Sequence, residues 1–369
     1  MSTGSSEFFR PSVVSLTPYQ PGKPIEECQR ELGLERVVKL ASNEGPFGPF
    51  PEALEALERA ARDLNRYPDG GSYRLHEALA ERHGVDTGEI VVGAGADGCI
   101  DMLSQATLDP GDEVVCGWPS FPSYLIYATK QGAEVRTAPL ADLRYDLDAL
   151  LDAITERTKL VYICHPNNPT GTMNTAAELD GYFERVPEHV LTVVDQAYFE
   201  YIDSPDYPDA VERYLKAGRR VVVLRTFSKI YGLAGLRVGY AVGQPDVCAS
   251  LAKVRRPFDL TTPAQVAALA SIDDDAEIQR RRRVNAEGLV RLEAILREHG
   301  FDPPASVGNF LFAETGGDTA ALYDRLLNEG VIVRPLGGFG APTAIRVTVG
   351  TAEELDFFAA ALGRVLQPA

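Results

Sequence analysis

The sequence predicts an α/β fold: a large unit on a mostly parallel sheet, followed by a smaller α+β unit. Three observations lead there. Short apolar runs recur at 90–92, 113–116, 160–164, 191–194 and 221–224, each closed by a turn. Helical stretches such as 99–107 and 176–185 fill most of the intervals, and such alternation marks parallel strands joined by crossover helices. The pattern then changes near Pro263, where a long helical region, 264–299, gives way to short strands at 309–313, 331–334 and 344–349.

The remaining elements are set by local chemistry. Pro11, Pro18, Pro21 and Pro24 break up the first forty residues, which read as an arm carrying one short helix over 25–32. A helical period over 53–64 places Leu54, Leu57, Ala61 and Leu64 on one face. The expected division is an arm over 1–44 that packs with the small unit, a large unit over 45–262 and a small one over 263–369. At 369 residues the chain exceeds one small core, which agrees with two units.

Composition narrows the function. The formal net charge of −17 argues against nucleic acids and anionic membranes as partners, because both demand a basic face. No apolar run reaches 18 residues, and the first ten residues lack a basic-then-apolar pattern, so a cytoplasmic protein is expected. Cys28, Cys99, Cys116, Cys164 and Cys248 form no CxxC pair, and with five histidines a zinc site is not expected. The cysteines read as reduced, buried, small hydrophobes.

In an open parallel sheet, ligands gather beyond the carboxyl ends of the strands, so the residues just after each apolar run are the informative ones. The first run leads into Gly93-Ala94-Gly95-Ala96-Asp97-Gly98, which fits the dinucleotide-binding GxGxxG pattern. The second run, however, ends in Cys116-Gly117-Trp118-Pro119 and not in the acidic residue that would hold a ribose. A glycine-rich turn presenting backbone N–H groups to a single phosphate is the simpler reading, against a plain strand-to-helix turn.

Phe121 comes after the second run, where an aromatic ring stacks on a flat ligand or fills the core. The third run delivers His165-Pro166-Asn167-Asn168-Pro169-Thr170-Gly171, a stiff turn presenting the Asn168 amide. The fourth ends in Asp195, with Tyr198 three residues on. A carboxylate behind Thr192-Val193-Val194 is costly without a cationic partner, although a helix N-cap is the plainer alternative. The fifth run leads into Arg225-Thr226-Phe227-Ser228-Lys229, then Gly232 to Arg237. Among the chain's seven lysines, Lys229 is the one that closes a central strand, where desolvation lowers its proton affinity and frees a nucleophilic amine. Thr226, Ser228 and Arg237 suit a phosphate.

Together, Asn168-Pro169-Thr170-Gly171, Asp195 with Tyr198, and Ser228-Lys229 with Arg237 resemble the fold-type I aminotransferases, which depend on pyridoxal 5'-phosphate. Further stretches resemble the branch of that family acting on histidinol phosphate: Lys39-Leu40-Ala41-Ser42-Asn43-Glu44, Asn65-Arg66-Tyr67-Pro68, Val333-Arg334-Pro335 and Arg346-Val347-Thr348-Val349-Gly350. The resemblance covers nearly the whole chain. It implies a mostly parallel seven-stranded sheet in the large domain and transfer of an amino group from histidinol phosphate to 2-oxoglutarate, in histidine biosynthesis.

It also implies roles. Lys229 carries the cofactor as a Schiff base and moves the proton; Asp195 keeps the pyridine nitrogen protonated; Asn168 and Tyr198 bond the ring oxygen. Ala96, Asp97, Ser228 and Arg237 hold the phosphate with Thr226 close by, and Phe121 stacks on the ring. Tyr67 reaches the phosphate of a partner subunit in a homodimer. Arg346, helped by Arg334, grips the substrate's acidic group, and Tyr19 and Asn43 line the substrate side.

One motif departs from the family pattern. Where the family often has Asn-Glu-Asn-Pro-Tyr-Gly, this chain has Asn43-Glu44-Gly45-Pro46-Phe47-Gly48, a less polar loop. The alternatives left open are an aromatic amino-acid aminotransferase, a pyridoxal-phosphate lyase or decarboxylase, a nicotinamide dehydrogenase resting on the three glycines, and a regulator that borrows the aminotransferase fold.

Overall fold

A computed structural model describes residues 8–18 and 20–367. After a helix at Ile25–Leu32 the arm contributes β1 (Val38–Lys39). The large unit then lays down β2 (Ile90–Gly93), β3 (Glu113–Trp118), β4 (Glu134–Ala141), β5 (Arg144–Tyr145), β6 (Thr158–Cys164), β7 (Leu191–Asp195), β8 (Val221–Thr226) and β9 (Gly239–Gly243). Their order across one sheet is β2-β9-β8-β7-β6-β3-β4-β5.

Strands β4, β3, β6, β7 and β8 run parallel, whereas β9 is antiparallel to both its neighbours and β5 is a two-residue hairpin return. The sheet therefore has the expected seven strands plus this short eighth one. The central strands are rich in Val, Ile and Leu and buried on both faces, as a sheet covered by helices on each side requires. Two strands show no clear signal in the sequence. β4 is largely solvent-facing, with Arg136 and Thr137 diluting its apolar character. β9 is five residues long with a glycine at each end.

The order in which successive strands are added reverses between the parallel neighbours β3 and β6. One branch proceeds to β4 and the other to β7 and β8, which opens a crevice at their carboxyl ends.

Helix packing corrects two expectations. In Pro51–Ala60 the buried face is Ala53, Ala56 and Ala60, while Leu54 and Leu64 are exposed. The alanines permit close approach to the helix Thr262–Ser271, whose own inward face is Ala264, Ala267 and Ala268. The long helical region beyond Pro263 is two helices, Thr262–Ser271 and Asp275–Glu298, parted where the Asp274 side chain caps the second.

Ala264, Ala267, Ala268, Ile272 and Ile278 all belong to the large core. We therefore propose that the large unit extends to about Ile278, and not only to residue 262. A second core holds Val38 and Leu40 of the arm with Leu292, Leu311, Val331, Val347 and Phe358. Around it lie the sheet β10-β13-β12 (Phe310–Glu314, Ala344–Thr348, Arg334–Pro335) and the pair of β1 with β11 (Val331–Ile332). The arm thus pairs in register with the small unit, Val38 opposite Val331.

The backbone at Gly232 has φ +69°, and a Cβ there would press on the Gly48 carbonyl. Gly232→Ala is expected to destabilise the protein by at least about 1–3 kcal/mol. Denaturant unfolding checks this; an unchanged midpoint contradicts it.

Candidate active site

The carboxyl ends of β3, β6, β7 and β8 open into a cleft of about 380 Å³ whose far wall comes from the arm and the small unit. Of the sequence-predicted residues, Asn43, Ala96, Asp97, Phe121, Asn168, Asp195, Tyr198, Thr226, Ser228, Lys229, Arg237, Arg334 and Arg346 all line it. Tyr19 lies outside the described residues. Tyr67 is 81% exposed, stacks on Phe258 at 4.6 Å, and does not line this chain's cleft.

Two ionisable groups stand at the ends of adjacent strands. Asp195 closes β7. Burial pushes its carboxyl up to about 6, opposed by hydrogen bonds from the Tyr124 hydroxyl at 2.7 Å and the Ala197 amide at 3.1 Å. Lys229 lies three residues beyond β8. Burial, and secondarily the Arg346 charge, draw its ammonium down to about 8, so about a tenth is the free amine at pH 7. Its Nζ reaches toward the Ser42 carbonyl at 3.4 Å and lies 5.5 Å from the Tyr198 ring centre.

One end of the cleft is built for an anion. The helix Gly95–Thr107 starts there, and Ala96 and Asp97 lie in its first turn, where backbone N–H groups have no helical acceptor. Arg237 leans over this terminus; a Cβ on Gly95 would stand 2.6 Å from its Nη2, so glycine is needed for the guanidinium to lie there. Arg237 Nη1 points at Ser228 Oγ at 3.5 Å, and Thr226 Oγ1 bonds the same hydroxyl at 3.0 Å. The Asp97 carboxylate is occupied by the Ser123 hydroxyl at 2.6 Å and lies 3.8 Å from Arg237.

The other end carries two arginines. Arg346 on β13 sits in register with Arg334 on β12, an adjacent like-charge pair that a bound anion relieves. Arg346 is 3% exposed; it donates to Asn168 Oδ1 and, at 2.9 Å, to the Ala41 carbonyl. A guanidinium only donates, so the atom facing it is the Asn168 oxygen, and the amide nitrogen is turned away from Arg346. Arg334 bonds the Gln20 carbonyl at 2.7 Å, which ties the arm to the cleft wall.

Asn43, in the left-handed region at φ 55°, donates to Tyr198 Oη at 2.9 Å and bonds Thr348. In the departing loop, Phe47 lies under the guanidinium of Arg280, 4.6 Å away, and neither Gly45 nor Phe47 lines the cleft.

Sequence reasoning missed Phe339, Cys164 and Ser42 on the wall, and Tyr124 behind it. Tyr124 lies three residues beyond Phe121, at the start of the helix Ser123–Gln131.

These features define a class. The family model for aminotransferase class I and II matches residues 35–362, and the chain belongs to that family. Within it, the chain is 45% identical to the histidinol-phosphate aminotransferase of Moorella thermoacetica, over 97% of this chain and 92% of the relative. It is 46% identical to histidinol-phosphate aminotransferase 2 of Methylococcus capsulatus, over 97% and 98% of the two chains. The crystal structure of the Sinorhizobium meliloti histidinol-phosphate aminotransferase in complex with pyridoxal-5'-phosphate matches with a TM-score of 0.90 at 30% identity, covering 99% of each chain.

The raised Asp195 carboxyl has a consequence for stability. An ordinary aspartate titrates near about 4. The folded state binds the proton more tightly, so this stabilisation is present below about pH 4 and is lost as pH rises through about 6. In the cofactor-free protein, Asp195→Asn is therefore expected to raise Tm relative to the parent by a margin that grows from near zero at about pH 4 to its full size above about pH 7. A margin that does not vary with pH contradicts this.

Proposed function

We propose that this chain transfers the amino group of L-histidinol phosphate to 2-oxoglutarate, yielding imidazole acetol phosphate and glutamate, with pyridoxal 5'-phosphate as cofactor. The observation that carries the reading is the meeting of Lys229, Asp195 and Arg346 in one cleft of a chain 45% identical to a histidinol-phosphate aminotransferase.

The residues present fit this cofactor. A flat ring lying against Phe121 would reach from the helix terminus beside Arg237, which suits its phosphate, to the buried Asp195 carboxylate, which suits its pyridinium nitrogen. When bound, the cofactor supplies an electron sink that makes the substrate Cα proton removable.

The chain's own groups do the rest. Lys229 presents an amine that is partly unprotonated near neutral pH, carries the cofactor, and moves the proton from Cα. Asp195, kept as the carboxylate by its hydrogen-bond donors against the pull of burial, would hold a positive charge at the ring nitrogen. Asn168, turned by Arg346, and Tyr198 direct N–H and O–H donors at the ring oxygen. Ala96 and Asp97 offer backbone amides, and Thr226, Ser228 and Arg237 complete the phosphate cradle.

Arg346, with Arg334, receives the substrate phosphate in one half of the cycle and a carboxylate in the other, since a guanidinium pairs bidentately with either. Asn43 lines the substrate side. Tyr67, whose hydroxyl does not serve its own cleft, is assigned to the partner's phosphate in a cytoplasmic homodimer.

Half-reactions test the substrate. The cofactor-loaded protein is expected to turn over histidinol phosphate far faster than phenylalanine, followed by loss of its visible band; preference for phenylalanine contradicts the reading. Arg346→Ala removes a buried partner of the anion, so kcat/KM for glutamate is expected to fall by about two to three orders of magnitude, mostly through KM. Unchanged glutamate kinetics contradict the role. Tyr67→Phe is expected to weaken cofactor retention in dialysis, and undiminished retention contradicts a shared site.

A further inference from the structure

One buried polar group behind the cleft has no task among the roles assigned above. Tyr124 lies in the helix Ser123–Gln131 and is fully buried. Its hydroxyl donates to Asp195 Oδ2 at 2.7 Å, while Oδ1 accepts from the Ala197 amide at 3.1 Å. Each carboxylate oxygen thus has one donor, and the two donors sit on different elements.

Packing fixes the ring independently of the hydroxyl. It stacks on Tyr162 of β6, centroids 4.4 Å apart and planes within 12°, and meets Phe121 edge-on at 5.6 Å and 80°. Phe121 is the residue expected to lie against the cofactor ring, so Tyr124 touches both the base partner of that ring and its stacking partner.

We propose that Tyr124 is a positioning residue for transamination: its hydroxyl holds the Asp195 carboxylate ionised and oriented toward the cofactor's pyridinium nitrogen, while its ring braces Phe121. This rests on the pyridoxal-phosphate reading above.

The electrostatics agree. Burial drives Asp195 toward its neutral form, and a neutral acid cannot neutralise a pyridinium. The Tyr124 hydrogen bond acts in the opposite sense and is the largest of the opposing influences. The other groups near Asp195 are Lys229, which favours the anion, and Asp97, which disfavours it; Cys99, Tyr162, Cys164 and Tyr198 stand nearby with protons retained, their own ionisation opposed by burial. Burial also keeps the Tyr124 phenol protonated, so it remains a donor throughout the working range.

The test is Tyr124→Phe, which preserves the ring and its packing. In the cofactor-free protein, the infrared carbonyl band of a protonated carboxylic acid is followed against pH, with Asp195→Asn identifying the band of interest. A hydrogen bond to a buried charge corresponds to a midpoint shift of about one pH unit or more, upward in the variant. The loaded variant is then expected to lose kcat by about tenfold or more with little change in KM.

An unmoved midpoint in a variant that still forms the visible band of the lysine-bound cofactor overturns the role of Tyr124 and leaves the cofactor reading intact. Absence of that band in the parent protein itself overturns both. A midpoint that rises while kcat stays the same overturns the claim that ionisation of Asp195 through Tyr124 serves the chemistry.

Discussion

Asp195 and Lys229 are held out of water at the carboxyl ends of neighbouring parallel strands, and much of the molecule exists to make that arrangement tolerable. An isolated carboxylate or ammonium in such surroundings reverts toward its neutral form. Here each is displaced only part of the way, to about 6 and about 8, because donors and opposite charges are built in around them. The parallel sheet supplies the dryness, since helices cover both faces. The switch in strand order between β3 and β6 supplies the opening through which a ligand reaches both groups.

The small unit and the arm complete the cleft with positive charge. Placing Arg346 beside Arg334 across two strands has no merit for stability alone. It makes sense as a receptor for the anionic end of a substrate, in a protein whose net charge of −17 otherwise repels anions. The link from Arg346 to Asn168 joins that receptor to the large unit, and the bond from Arg334 to Gln20 carries it into the arm. On the proposed assignment, substrate recognition and cofactor geometry would be parts of one hydrogen-bonded system, because Arg346 bonds Asn168.

Most of this was legible in the residues because parallel strands advertise themselves. Apolar runs rich in Val, Ile and Leu locate β3, β6, β7 and β8, and the stretches that follow or close them supply Phe121, Asn168, Asp195 and Lys229 to the cleft. The features that escaped did so for physical reasons. β4 faces solvent and β9 begins and ends in glycine, so neither shows an apolar run. The helix Pro51–Ala60 turns alanines inward and leaves Leu54 outside, a choice set by the closeness of its neighbour and not by hydrophobicity. Tyr124 reads as core because its ring is core; only the third dimension brings its hydroxyl to Asp195. Gly45 and Phe47, which make the loop after Asn43 less polar, face the arginines of the helix Asp275–Glu298 and the chain around Lys229.

The central claim is that Lys229, by virtue of its buried position after β8, is the amine that carries the cofactor. Loading the protein with pyridoxal 5'-phosphate, reducing it with borohydride and mapping the peptides by mass spectrometry tests this most directly. A stoichiometric pyridoxyl label is expected on Lys229, with the other six lysines unmodified. A label on a different lysine, or none, would contradict it.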